Sequence, residues 1–234
     1  MSDGRRAILY DVHGNLPALE AVLADAASHG ADAFVLGGDY ALFGALASET
    51  VKRLRGLDAI WIRGNGERWT RNPADAPDDP LVQRAIVASV EQLGDALVSE
   101  LAALPEATPI AEALFCHASP RSDVDTFMPD DPQRDEQLLA GAEQRVIVFG
   151  HSHIQFSRDT DGRLLVNPGS VGMPFDGDRR AAYALWDGRD VFELRRVGYD
   201  GDRYVQQLRE RLGSALGDAT ETLARRLEQA AFVV

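Results

Sequence analysis

His151 and His153 stand two residues apart in Gly150-His151-Ser152-His153, and they are two of only five histidines in 234 residues. Imidazole is the commonest metal-binding side chain, so the pair points first to metal coordination. Taken alone, a His-x-His pair also fits an ordinary polar loop. Other residues have the same character, however. Asp11 and His13 stand in Asp11-Val12-His13-Gly14-Asn15, and Asp39 follows Gly37-Gly38. Asn65 lies between Gly64 and Gly66, and His117 follows Cys116. The fifth histidine, His29 beside Gly30, reads as a solvated residue at a helix end.

The elements that must position these residues are short apolar runs. Strands are predicted at Ala7 to Tyr10, Ala33 to Leu36, Ala59 to Ile62, Ala113 to Cys116 and Val146 to Phe149, and each candidate follows one of them. Between the first two, Leu16, Leu19, Val22, Leu23 and Ala26 recur at helical spacing, with Asn15 placed to cap and Gly30 to terminate. A second helix is predicted around Glu49 to Leu54. This alternation predicts βαβ units around a parallel sheet, whose strands end along one edge where ligands bind. The seven candidates can meet there.

Beyond a Pro- and Asp-rich loop at 72–80, one long helix is predicted through Ile86, Val90, Leu93, Leu97, Leu101 and Leu104, stopped by Pro105. Strands follow at Leu164 to Val166, Ala181 to Trp186 and Val191 to Leu194, so the second half adds a further sheet. One or two amphipathic helices run from Tyr204 through Leu227. The expected organisation is a single domain over 1–234, with C-terminal helices at about 200–230 that could cover the site or form a dimer contact.

Acidic residues number 37 against 24 basic ones, a formal net charge of −13. That surface repels nucleic-acid polymers, and Lys52 is the sole lysine. No apolar stretch is long enough to span a bilayer or to act as a signal sequence, so a cytoplasmic location and no membrane partner are expected. Cys116 cannot form an intrachain disulfide and, among apolar neighbours, reads as structural.

In their order, Asp11-x-His13, Gly38-Asp39, Gly64-Asn65, His117 and Gly150-His151-x-His153 resemble the calcineurin-like metallophosphoesterase superfamily, over about residues 7–195. The run Val166-Asn167-Pro168-Gly169-Ser170-Val171-Gly172 looks like a loop of its small bacterial and archaeal phosphodiesterase branch. The resemblance implies an α/β fold, a four-layer α/β/β/α sandwich with two central mixed sheets. It also implies two divalent metal ions. Asp11, His13, Asp39 and His153 would bind one; Asp39 would bridge to the second, completed by Asn65, His117 and His151. Oxygen and imidazole donors without thiolate suit Mn first, with Fe, Ni, Zn or Mg as alternatives. Two such ions against two carboxylates leave the site at about +2, a trap for small phosphorylated substrates, nucleotides included, on an acidic protein. Metals roughly 3.5–4 Å apart lower the pKa of a shared water and neutralise phosphate oxygens.

One position departs from the pattern. Where much of the superfamily has a histidine assigned to leaving-group protonation or phosphate contact, this chain has Gly66, although the acidic residue that would orient it, Glu67, remains. Glu67 could equally be a loop carboxylate paired with Arg63 or Arg68. A site without a general acid forfeits roughly 10²–10⁴-fold on poor leaving groups, which favours activated diesters or nucleotide pyrophosphate bonds such as those of diadenosine tetraphosphate. Substrate contacts are expected from Asn65, from Asn15 (otherwise a helix cap) and from Tyr40, which with Leu42 and Phe43 forms either a stacking wall or the buried start of a helix. A non-catalytic metal-binding scaffold or a nucleotide sensor of the same fold is the alternative, and a homo-oligomer is left open.

Overall fold

The computed structural model describes residues 4–233. Strands β1 (Arg5–Leu9), β2 (Ala31–Leu36) and β3 (Ala59–Trp61) alternate with helices α1 (Leu16–Ser28) and α2 (Ala47–Leu54) and pair in parallel. Helix α3 (Asn65–Arg71) follows, then α4 (Pro80–Leu93) and α5 (Asp95–Ala102). Strands β4 (Ala107–Ile110) and β5 (Ala113–Cys116) lead to α6 (Asp135–Leu139), then to β6 (Val146–Val148), β7 (Phe156–Thr160), β8 (Arg163–Asn167), β9 (Ala181–Trp186) and β10 (Phe192–Val197). Helices α7 (Gly201–Leu216) and α8 (Ala219–Gln229) follow.

Two five-stranded mixed sheets result, in the orders β10-β9-β1-β2-β3 and β4-β5-β6-β8-β7. The expected extra sheet of the second half is therefore only part of the outcome. β9 pairs antiparallel with β1, so β9 and β10 return to the first sheet.

Period-two alternation along β1 builds the layers. Ala7 and Leu9 face outwards onto α1 residues Ala18, Leu19 and Val22, in a core that also holds Val51 of α2. Ile8 and Tyr10 face the second sheet, packing with Phe115, Val148 and Val166. On the far face of that second sheet, Ile147 and Leu165 pack with Leu138 and Leu139 of α6. Leu81, Ile86, Tyr204, Leu208, Leu223 and Leu227 join α4, α7 and α8 in a separate helical cluster.

The long helix predicted through Leu104 is two helices. Gly94 has φ +76°, a conformation that glycine adopts without strain, and it breaks the stripe between α4 and α5. No described helix is long and apolar enough to cross a membrane.

Candidate metal centre

The loops after β1 and β2 run side by side past the sheet edge. Asp11 N donates to Gly38 O at 3.1 Å, His13 N to Asp39 O at 3.0 Å and Gly14 N to Tyr40 O at 2.8 Å. Asp11, His13, Asp39, His151 and His153 all adopt left-handed backbone, with φ between 47° and 64°. For a residue with a Cβ that conformation costs about 1 kcal/mol or more, so five of the seven candidates are held against local preference.

Crowding at the glycines keeps these loops close. A Cβ on Gly64 would come within 2.2 Å of Asp39 Oδ1, and one on Gly172 within 1.9 Å of Val12 O. Ser170 Oγ donates to Asp11 O at 2.7 Å, and Asn167 Nδ2 donates to Gly150 O at 3.2 Å and Ser152 Oγ at 2.9 Å. The Asn167-Pro168-Gly169-Ser170 turn thus fastens the Asp11 loop and the His151-His153 loop together.

Three imidazoles have their tautomer fixed by backbone carbonyls, which can only accept. His13 Nδ1 lies 2.8 Å from Leu42 O, His117 Nδ1 2.8 Å from Gly37 O, and His153 Nδ1 2.5 Å from Met173 O. In the neutral form, which metal binding requires, each ring presents a bare Nε2 lone pair inwards. His13 Nε2 and His153 Nε2 face one another at 3.1 Å. Asp11 Oδ1, 3.5 Å from His153 Nε2 and 3.8 Å from His117 Nε2, is buried without a hydrogen-bond partner. Its sister Oδ2 accepts from His151 N at 3.0 Å. Lone pairs converging on a buried, unpartnered carboxylate oxygen repel one another unless a cation lies between them, so the donor set fits divalent metal.

The donors form two overlapping groups, Asp11 with His13 and His153, and Asp11 with Asp39 and His117, each with ligand atoms within 4.8 Å of one another. Asp39 also reaches both sides, with Oδ2 3.9 Å from His13 Nε2 and Oδ1 3.6 Å from His117 Nε2. Asn65 Oδ1 is 3.0 Å from His117 Nε2 and stands opposite His151 Nδ1 at 2.9 Å. Turned over, the Asn65 amide would donate to both rings and to Asp123 O, which suits a metal-free cluster; with oxygen inwards it suits a metal. His153 thus faces His13, while His151 faces Asn65 and His117.

Electrostatics agree with that reading. The ion-pair partners of Asp11 and Asp39 among the described residues are histidines. Burial pushes the Asp39 carboxyl up to about 7 against the pull of His117, and the charges of Glu67 and Asp11 add to the rise. Burial lowers His13 to about 3, helped by His153, and lowers His151 to about 3, helped by His117. Burial opposes ionisation of Asp11, but His153, His117 and His13 outweigh it and hold that carboxyl below its ordinary range.

Several sequence expectations need correction. Tyr40 is fully buried, and its hydroxyl lies 2.9 Å from Leu36 O and 2.5 Å from Ile62 O behind the site, so it contacts no substrate. Asn15, also fully buried, accepts from Ala18 N as a cap and donates to Gly172 O and Tyr199 Oη, which leaves no side-chain atom for a phosphate. Leu42 is buried, and of that trio Phe43 alone lines the cavity. Glu67 pairs with neither arginine. It is buried under the Asp39 loop, while Arg68 binds Asp123 and Arg63 binds Glu106. Cys116 is buried, and burial raises its thiol well above the ordinary range, as expected of an inert structural residue.

His13, Asp39, Asn65, His151 and His153 open onto a cavity of about 550 Å³ with a largely apolar wall that includes Phe43, Trp69, Val124 and Phe175, while Asp11 and His117 lie buried behind them. Arg226 and Phe232 also line it, so the C-terminal segment reaches the site.

The chain matches the family model of the calcineurin-like phosphoesterase superfamily domain over residues 5–190. An uncharacterized protein of Methanocaldococcus jannaschii is 29% identical over 236 residues, covering 91% of this chain and 95% of that protein. A metallophosphoesterase from Sphaerobacter thermophilus is 26% identical with a TM-score of 0.80, covering 97% of this chain and 99% of that structure. A hypothetical protein from Pyrococcus horikoshii, 18% identical, shares the fold with a TM-score of 0.82 over 98% of this chain and 99% of its own. The chain belongs to the calcineurin-like phosphoesterase superfamily, and it is a hydrolase.

Proposed function

We propose that the protein is a binuclear metal-dependent phosphodiesterase that cleaves activated phosphodiesters or nucleotide pyrophosphate bonds. The observation that carries this reading is the pair of overlapping donor groups sharing Asp11, with the unpartnered Asp11 Oδ1 between them. Asp11, His13, Asp39 and His153 would hold one cation, and Asp39, Asn65, His117 and His151 the other, Mn before Fe, Ni, Zn or Mg. When bound, two such ions lower the pKa of water and neutralise phosphate oxygens.

The chain's own residues set the rest. The carbonyls of Leu42, Gly37 and Met173 orient three rings so that their lone pairs point inwards. At the position after Asn65, Gly66 offers only its backbone N–H, which donates to Asp39 Oδ1 at 2.7 Å. A leaving group therefore meets no side-chain acid there, and good leaving groups such as phenols or nucleoside polyphosphates are favoured.

A test is a screen of Mn-loaded protein on aryl phosphodiesters and dinucleoside polyphosphates, with alkyl phosphomonoesters for contrast. Turnover of the first two classes and little of the third is expected. Nucleotide binding with two metals per chain and no turnover would instead make it a sensor.

A further inference from the structure

The family match ends at residue 190, yet the last helix and the tail form one side of the cavity. Phe175 stacks on the His153 ring at 4.5 Å with 16° between the planes. Phe232 meets Phe175 edge-on at 5.7 Å, and the Arg226 guanidinium lies over Phe232 at 4.3 Å. The tail is pinned in this position. Gly177 N donates to Ala230 O at 2.9 Å, and Arg226 Nε donates to Val233 O at 2.8 Å.

Two further observations point to a ligand. Among the described residues the exposed large apolar side chains are Val87, Val124, Val191 and Phe232, and both Val124 and Phe232 line this cavity. Scattered apolar exposure needs no explanation, but convergence on one concave site does. Arg226 is the one arginine or lysine of the cavity lining among the described residues. Its Nη groups have no hydrogen-bond partner among those residues, and it stands two aromatic rings out from His153.

We propose that Phe175, Phe232 and Arg226 form a specificity wall for the group carried by the phosphoester: the rings take a flat aromatic substituent, and Arg226 takes a second negative charge on it. This rests on the phosphoesterase reading above. Aromatic faces provide stacking area at low entropic cost, and a guanidinium beside an aromatic ring is suited to a planar anion. On a protein of net charge −13, and with Asp79 lining the same cavity, Arg226 is the local cation that offsets repulsion of such a substrate.

The experiment uses the full-length Mn-loaded protein and two diesters with the same leaving group, 4-nitrophenyl phenyl phosphate and 4-nitrophenyl 4-carboxyphenyl phosphate. Calorimetric binding of phenylphosphonate and 4-carboxyphenylphosphonate is measured alongside. The native protein should prefer the carboxylated member by roughly tenfold, in kcat/KM and in Kd, as expected for a hydrogen bond between charged groups. Arg226→Gln should reduce that preference to about twofold or less, and Arg226→Lys should retain part of it. Arg225→Gln, on the exposed neighbouring residue, should keep it in full. A native protein without the preference, or an Arg226→Gln protein that retains it, would overturn the proposal. Should the native protein hydrolyse neither diester while the phosphonate preference still depends on Arg226, the wall stands and the phosphoesterase reading fails.

Discussion

The carboxylate of Glu67 is bound to the backbone that carries Asp39. Oε2 accepts from Asp39 N at 2.9 Å and from Gly64 N at 2.8 Å, and Oε1 accepts from Tyr40 N at 2.9 Å. Glu67 is the third residue of α3, so the contact with Gly64 is half of a capping box, and the other two contacts extend it to a neighbouring loop. Asp39 sits at φ 57°, and these bonds offset the cost of that conformation. The acidic residue without an imidazole partner at position 66 thus has a different task, fixing a candidate bridging ligand from behind.

Glu67→Gln keeps the shape but turns one acceptor into a donor facing backbone N–H. We expect a loss of about 1–3 kcal/mol in stability, the cost of a buried group left unsatisfied. Thermal unfolding checks this, and metal analysis should find less than the native metal content after dialysis.

Gly66 is constrained as tightly as Glu67. A Cβ there would lie 2.9 Å from Asp39 Oδ1 and 3.2 Å from Leu42 Cβ. Gly66→His should therefore displace Asp39 and lower metal affinity before it can supply an acid, and Gly66→Ala should lower affinity to a similar extent. Metal titration of both variants checks this, and native affinity in Gly66→Ala would contradict it.

Without a side-chain acid at residue 66, kcat/KM for aryl phosphodiesters should fall steeply as the leaving-group pKa rises. A series of substituted phenyl esters measures the slope. A flat dependence would mean that another group protonates the leaving oxygen.

Asp39 gives the pH dependence of metal uptake. Its carboxyl is pushed up to about 7, so in metal-free protein it holds a proton below that pH, and an arriving cation must displace it. His13 and His151, lowered to about 3, are already neutral and compete little, whereas His117, raised by the charges of Asp39 and Asp11 against its burial, must give up a proton as well. Apparent affinity should therefore fall as pH drops below about 7, by about tenfold per unit for each proton displaced. Calorimetry in buffers of different ionisation enthalpy counts those protons.

Much of the site was legible because its signal is local. Asp11, His13, Asp39, Asn65, His117, His151 and His153 each follow a strand-like run, and their side chains do converge. The left-handed backbone at five of them left no such trace, since Asp and His carry no glycine-like marker. Edge strands were also hidden. β4 contains Pro109, and β7 alternates half-buried with exposed residues at the other edge of the same sheet. Helix α3 was masked by Gly64-Asn65-Gly66, which reads as a turn yet opens a helix. The return of β9 to β1 is a long-range pairing that no local pattern encodes. Arg226 and Phe232 could have been suspected only from an arginine and a phenylalanine near the end of an amphipathic helix, a signal too common to single them out.

The most direct test of the two-metal account is turnover of bis(4-nitrophenyl) phosphate by metal-stripped protein as Mn is added back in measured steps. The account predicts no activity in chelator, then a rise that saturates at two bound Mn per chain. Full activity without metal, or two bound Mn per chain with no turnover, would contradict it.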